Sequence, residues 1–149
     1  MADVKVIDRG LDRIIAESLK ASNAGVKFGI QAGSGSHEGT DLLDIAIYNE
    51  YGTERIPARP FMHDFANKND DVLGTAMDRQ AEKIMKGTPI HTAMMQLGEF
   101  AQKHQKAHII QAFRWAKPNA PSTIKQKGSS KPLVDTGALA NAVRYEVLK

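Results

Sequence analysis

Two stretches of this chain alternate apolar with polar or small residues as a half-buried strand does. They are Val26-Lys27-Phe28-Gly29-Ile30-Gln31 and Val143-Arg144-Tyr145-Glu146-Val147, with more than 100 residues between them. Pairing them closes the fold from both ends, so everything between must pack on the resulting ribbon. A two-stranded ribbon is marginal alone and needs helices over one face. The fold class this implies is α+β, a small antiparallel sheet packed by several helices. A length of 149 residues, 42% apolar and 25% charged, suits one globular domain over residues 1–149.

Apolar residues at helical spacing fill the interval. Leu11, Ile14, Ile15 and Leu19 make a first stripe, with Asp8 placed as a cap and Gly25 as the stop. Asp41 opens a short helix over residues 42–51 that Gly52 closes. Residues 53–60 hold Pro57 and Pro60 and are expected to be irregular. Val72, Leu73, Ala76, Met77, Gln80, Ala81 and Ile84 form another stripe, with Asp70-Asp71 at its start and Gly87 at its end. Thr88-Pro89 signals a new helix, threonine at the cap and proline in the first turn. The stripe Ile90, Ala93, Met94, Leu97, Phe100 and Ala101 predicts one long helix running to about Phe113. A last short helix begins at Asp135, whose carboxylate is expected to accept from the amide of Gly137 or Ala138.

Two segments read as flexible loops. Residues 32–40 are rich in glycine and serine, and residues 116–132 are punctuated by Pro118, Pro121, Gly128 and Pro132. Between Lys117 and Pro132 only Ile124 is a large aliphatic residue, so that loop is expected to lie open until a neighbour orders it.

The formal charge of +3 is unevenly spread. Residues 1–99 hold 11 lysines and arginines against 15 acids, net −4, whereas residues 100–149 hold 9 against 2, net +7. No acid lies between Glu99 and Asp135. Such asymmetry fits a polyanion partner, a subunit whose acidic face meets the basic face of its neighbour, or a solvated basic surface.

Several classes are excluded or disfavoured. No run approaches the roughly 18 apolar residues of a membrane span. The opening Met-Ala-Asp-Val-Lys lacks a basic segment followed by an apolar one, so no secretory signal is expected. Without cysteine there is no disulfide, thiolate metal site or cysteine nucleophile. After Gly33 and Gly35 a dinucleotide fingerprint meets Glu38 where it needs glycine, and an acid is the wrong charge for a pyrophosphate. His104 and His108 have the i, i+4 spacing of shared metal ligands but continue an apolar stripe and have no nearby third ligand, so they read as packed side chains. His37, His63 and His91 are isolated in sequence. No catalytic constellation, cofactor or metal site is expected. Arg114, Trp115 and Lys117, followed by Lys125, Lys127 and Lys131, are the strongest nucleic-acid candidate, with Trp115 read either as a stacking platform or as a packing anchor.

Two blocks carry a resemblance. Residues 45–53, Ile-Ala-Ile-Tyr-Asn-Glu-Tyr-Gly-Thr, are followed by Ile56-Pro57-Ala58-Arg59-Pro60-Phe61. Residues 121–139 run from Pro121-Ser122-Thr123-Ile124 through Lys127-Gly128 to Lys131-Pro132-Leu133-Val134-Asp135-Thr136-Gly137-Ala138-Leu139. In order and separation they resemble the signatures of tailed-phage tail-completion proteins, the lambda minor tail protein Z type, also described as phage virion morphogenesis or head–tail joining proteins. The resemblance implies structural work rather than catalysis: a ring of this chain, six subunits by that analogy, at the head–tail junction. Its implied partners are the tail tube protein, the head-connector or head-closure proteins, and DNA passing through the ring. Its implied location is the virion, with the host cytoplasm during assembly. Glu50, Gly52, Pro57, Arg59, Pro60, Phe61, Asp135, Thr136 and Gly137 are its signature positions, expected to matter for fold or interface. Lys125, Lys127 and Lys131 are expected to face a partner. The chain ends just after its last strand, which leaves the neck layer open. A head-closure or adaptor protein of the same neck, and a small cytoplasmic DNA-binding module using residues 114–131, are the alternatives.

Overall fold

The computed structural model describes residues 10–148. The two expected strands pair. β1 (Gly25–Ile30) lies antiparallel to β4 (Val143–Leu148), in a register running from Gly25 opposite Leu148 to Ile30 opposite Val143. Val26, Phe28 and Ile30 therefore share one face with Val147, Tyr145 and Val143, because side chains alternate with a period of two. Helix α4 (Ile90–Ile110) packs on this ribbon. A Cβ added at Gly98 of α4 would clash with the edge of the Tyr145 ring, and Gln102 Oε1 accepts from Tyr145 N at 3.0 Å. α+β is thus the observed class, mostly helical.

Helix α3 (Phe61–Met85) runs beside α4 and is longer than its stripe suggested. It begins at Phe61 because Phe61 and Phe65 are both core residues, each 1% exposed, and Pro60 supplies a first turn that needs no amide donor. The start read at Asp70-Asp71 instead coincides with an internal break, where Asn69 is non-helical and its side-chain amide donates to Phe65 O at 2.9 Å.

The shorter helices follow their sequence signals more closely. In α2 (Leu42–Tyr51), Asp41 accepts from Leu43 N at 2.8 Å, and Gly52 ends the helix at φ 78°. Helix α1 (Leu11–Ala21) has left-handed Gly10 at its cap and buries none of its residues; Asp8 lies outside the described residues. The long helix α4 starts one residue later than expected, with Pro89 at the cap, and ends at Ile110 before a 3-10 turn over Ala112–Arg114.

Both presumed loops contain regular structure. Residues 32–40 include most of a tight hairpin, β2 (Ser36–His37) against β3 (Thr40–Asp41), turned by Glu38 and Gly39, both at positive φ. Residues 116–132 contain α5 (Pro121–Lys127), with proline in its first turn and left-handed Gly128 as its stop. Asn119 within this segment and Leu133 just after it are buried against the domain.

A second correction concerns Asp135. Helix α6 (Ala138–Asn141) is preceded by Gly137 at φ 82°, and no side chain caps it. Gly137 takes the cap position and Asp135 is turned away. The central apolar cluster draws Ala46, Phe61, Ile109, Ala112, Leu133, Leu139, Ala140 and Val143 from α2, α3, α4, the turn that follows α4, the segment before α6, α6 itself and β4. Among the described residues no helix is long and apolar enough to cross a membrane.

Candidate functional site

The two signature blocks meet in space. Residues 50–61 leave α2 and enter α3, and residues 117–139 wrap against them. Gly52 begins the turn: its φ of 78° favours glycine, and a Cβ there would come within 2.9 Å of Ala58 N. Arg59, only 7% exposed, then points back into the second block. Its Nε donates to Lys117 O at 2.8 Å, and its Nη2 donates to Pro118 O at 3.1 Å and Asn119 Oδ1 at 3.2 Å. Burial pushes the guanidinium pKa down from its ordinary value. Asn119 passes the connection on, donating to Lys131 O at 3.2 Å.

Glu50 holds the other end of the turn. Its carboxylate accepts from Met62 N at 2.9 Å and His63 N at 3.1 Å, and lies 2.7 Å from His63 Nδ1. It thereby caps α3 from a neighbouring helix, placing a negative group where the helix leaves free amides. His63, isolated in sequence, is Glu50's partner in the fold. Phe61 is a core residue, and Pro60 precedes it at the helix cap.

Between the blocks runs an open cleft of about 600 Å³. Ile56, Pro57 and Arg59 line it from the first block, and Thr123, Lys127, Leu133, Asp135 and Thr136 from the second. His37 and Glu38 of the hairpin close one side, with His37 Nε2 lying 3.2 Å from Asp135 Oδ2. Local sequence carries no sign of that contact, because 98 residues separate the pair. Of the expected partner-facing cations, Lys127 lines the cleft; Lys125 and Lys131 are exposed outside its lining. Gly137 sits at the α6 cap rather than in the cleft.

The other candidates resolve into packing. His104 bonds to Phe100 O through Nδ1 at 2.8 Å, whereas His108 turns toward α3, so the two imidazoles do not share a site. His108 Nε2 and Asp64 Oδ2 lie 2.9 Å apart without the alignment of a hydrogen bond. Trp115 stacks on His108 with ring centres 4.6 Å apart and donates Nε1–H to His108 O at 3.1 Å. Its indole is engaged within the fold, as the packing reading of that residue requires.

Fold and cleft together describe an α+β protein in which two segments distant in sequence meet along one open cleft. Set against known proteins, the chain matches no family model, no curated protein and no solved structure.

Proposed function

We propose that this chain is a structural subunit of a tailed-phage neck, a ring protein of the tail-completion type that joins heads to tails. The observation that carries this reading is the convergence of the two signature blocks on one cleft, through Arg59 and the 117–119 backbone. Residues that resemble one family at two distant places in sequence serve one connected surface here, which suits a shared assembly role. A closed ring further requires unlike faces on each subunit. The acidic first two-thirds and basic last third supply that asymmetry, with Lys125, Lys127 and Lys131 all exposed.

The test is electron microscopy of lysates from a phage or induced prophage lacking this gene. Separate full heads and unjoined or overlong tails are expected, restored to whole particles by the gene in trans. Normal particles without the gene would overturn the proposal. A head-closure or adaptor role in the same neck predicts full-length tails beside heads that leak DNA. The DNA-module alternative predicts binding of free DNA that weakens steeply with salt.

A further inference from the structure

We propose that His37, Glu38 and Asp135 bind one divalent cation of the zinc class, joining the β2–β3 hairpin to the segment before α6. The inference is independent of the neck reading and concerns the isolated chain. His37 and Glu38 come from the hairpin and Asp135 from the far end of the sequence, yet one donor atom from each lies within 4.8 Å of the others. Zinc bonds of about 2.0–2.1 Å in tetrahedral arrangement set neighbouring donors about 3.4 Å apart. His37 Nε2 and Asp135 Oδ2, at 3.2 Å, already span such an edge. Glu38 is exposed, so its carboxylate reaches the third position by side-chain rotation.

Charge points the same way. Glu38 and Asp135 bring two carboxylates together, and neither is paired with a lysine or arginine among the described residues. Like charges this close repel unless a cation lies between them. An imidazole with two carboxylates is a nitrogen–oxygen set that suits zinc or manganese; magnesium and calcium prefer oxygen alone. His37, Glu38, Asp135 and Thr136 all line the cleft, so water or an exchangeable ligand from the cleft would complete the shell. A bound cation would tie the cleft wall formed by residues 36–41 to residues 133–137, reinforcing the partly exposed His37–Asp135 contact.

The experiment titrates chelator-stripped full-length chain with zinc chloride by calorimetry, and with cobalt(II) chloride read by visible absorption. One ion per chain is expected, with the intense cobalt band of a low-coordinate site. His37→Ala, Asp135→Asn and Glu38→Gln should each weaken zinc at least about 10-fold, with unchanged far-ultraviolet circular dichroism, while His91→Ala leaves binding as it was. Glu38→Gln, at an exposed turn, keeps the test decisive if another variant unfolds. No saturable binding below about 100 μM would leave His37 and Asp135 as a side-chain contact only and overturn the proposal. Unchanged binding in all three variants would overturn it equally.

Discussion

The guanidinium of Arg59 reaches across 58 residues of chain to hold Lys117 O, with Pro118 O and Asn119 Oδ1 beside it. A fork of fixed geometry serves several acceptors at once, which a lysine ammonium on a flexible stem does not reproduce. Arg59→Lys is therefore expected to cost about 1.5–3 kcal/mol, the scale of a buried charge-assisted hydrogen bond, read as a lower urea midpoint. The same variant should speed trypsin cleavage at Lys117 or Lys125, because the segment loses its tie. His108 makes a different prediction. Burial lowers its pKa below the ordinary 6.5; the Asp64 carboxylate opposes that shift, and Lys68 adds to it. With the folded value depressed, the unfolded chain binds the extra proton first. Stability from this group is full above 6.5 and falls as pH drops through 6.5 toward the folded value. His108→Gln should flatten that part of the stability profile. An equal slope in wild type and variant would show that other groups set it.

Among the elements, the contact of α4 with the ribbon depends on Gly98, since the Tyr145 ring occupies the space of a Cβ. Glycine inside a helix is unfavourable by roughly 1 kcal/mol relative to alanine, so this glycine is kept for packing. Gly98→Ala should lower stability by about 1–3 kcal/mol through overpacking despite the better helix former. Adding Tyr145→Ala should recover part of the loss, a coupling that chemical denaturation of the double-mutant cycle reads. What was legible in the sequence follows the same division. Periodicity located α1, α4 and the strands β1 and β4, and the capping residues Asp41 and Gly52 located α2, because each of these signals lies within or beside its own element. The first turns of α3 were missed because Phe61 and Phe65 are fixed by the core while the stripe begins only at Val72. The hairpin at 36–41 and helix α5 were missed because they are polar, the one turned by Glu38-Gly39 and the other bounded by Pro121 and left-handed Gly128, with little apolar pattern in either. Asp135 was misplaced because left-handed Gly137, also tolerated at a helix start, takes the cap position of α6. The cleft itself was invisible, its walls coming from residues too far apart for any local signal.

At the scale of the molecule, the proposed ring rests on contact between unlike faces, and charge gives it a measurable signature. The acidic part of one subunit meeting the basic part of the next should associate faster at low salt, and raising salt should slow that step. Apolar contact sets most of the affinity, because rim charges act mainly on the association rate. Lys125 and Lys127 are the residues to reverse. Both are exposed on α5, and neither takes part in an ion pair among the described residues, so Lys125→Glu with Lys127→Glu leaves no buried group without its partner. The reversed chain should fold as wild type, with the same circular dichroism and a urea-unfolding free energy within about 0.5 kcal/mol, the usual range for surface changes. Complementation of a gene-deleted phage by this variant should nevertheless yield fewer joined particles, with unjoined heads and tails in excess. Supplying wild-type chain together with the variant should rescue only partly, since a ring of mixed subunits carries the defect at each reversed contact. Full complementation by the reversed chain, or its absence from purified virions beside a normal yield of particles, would remove the charge-guided ring and favour a role outside the particle.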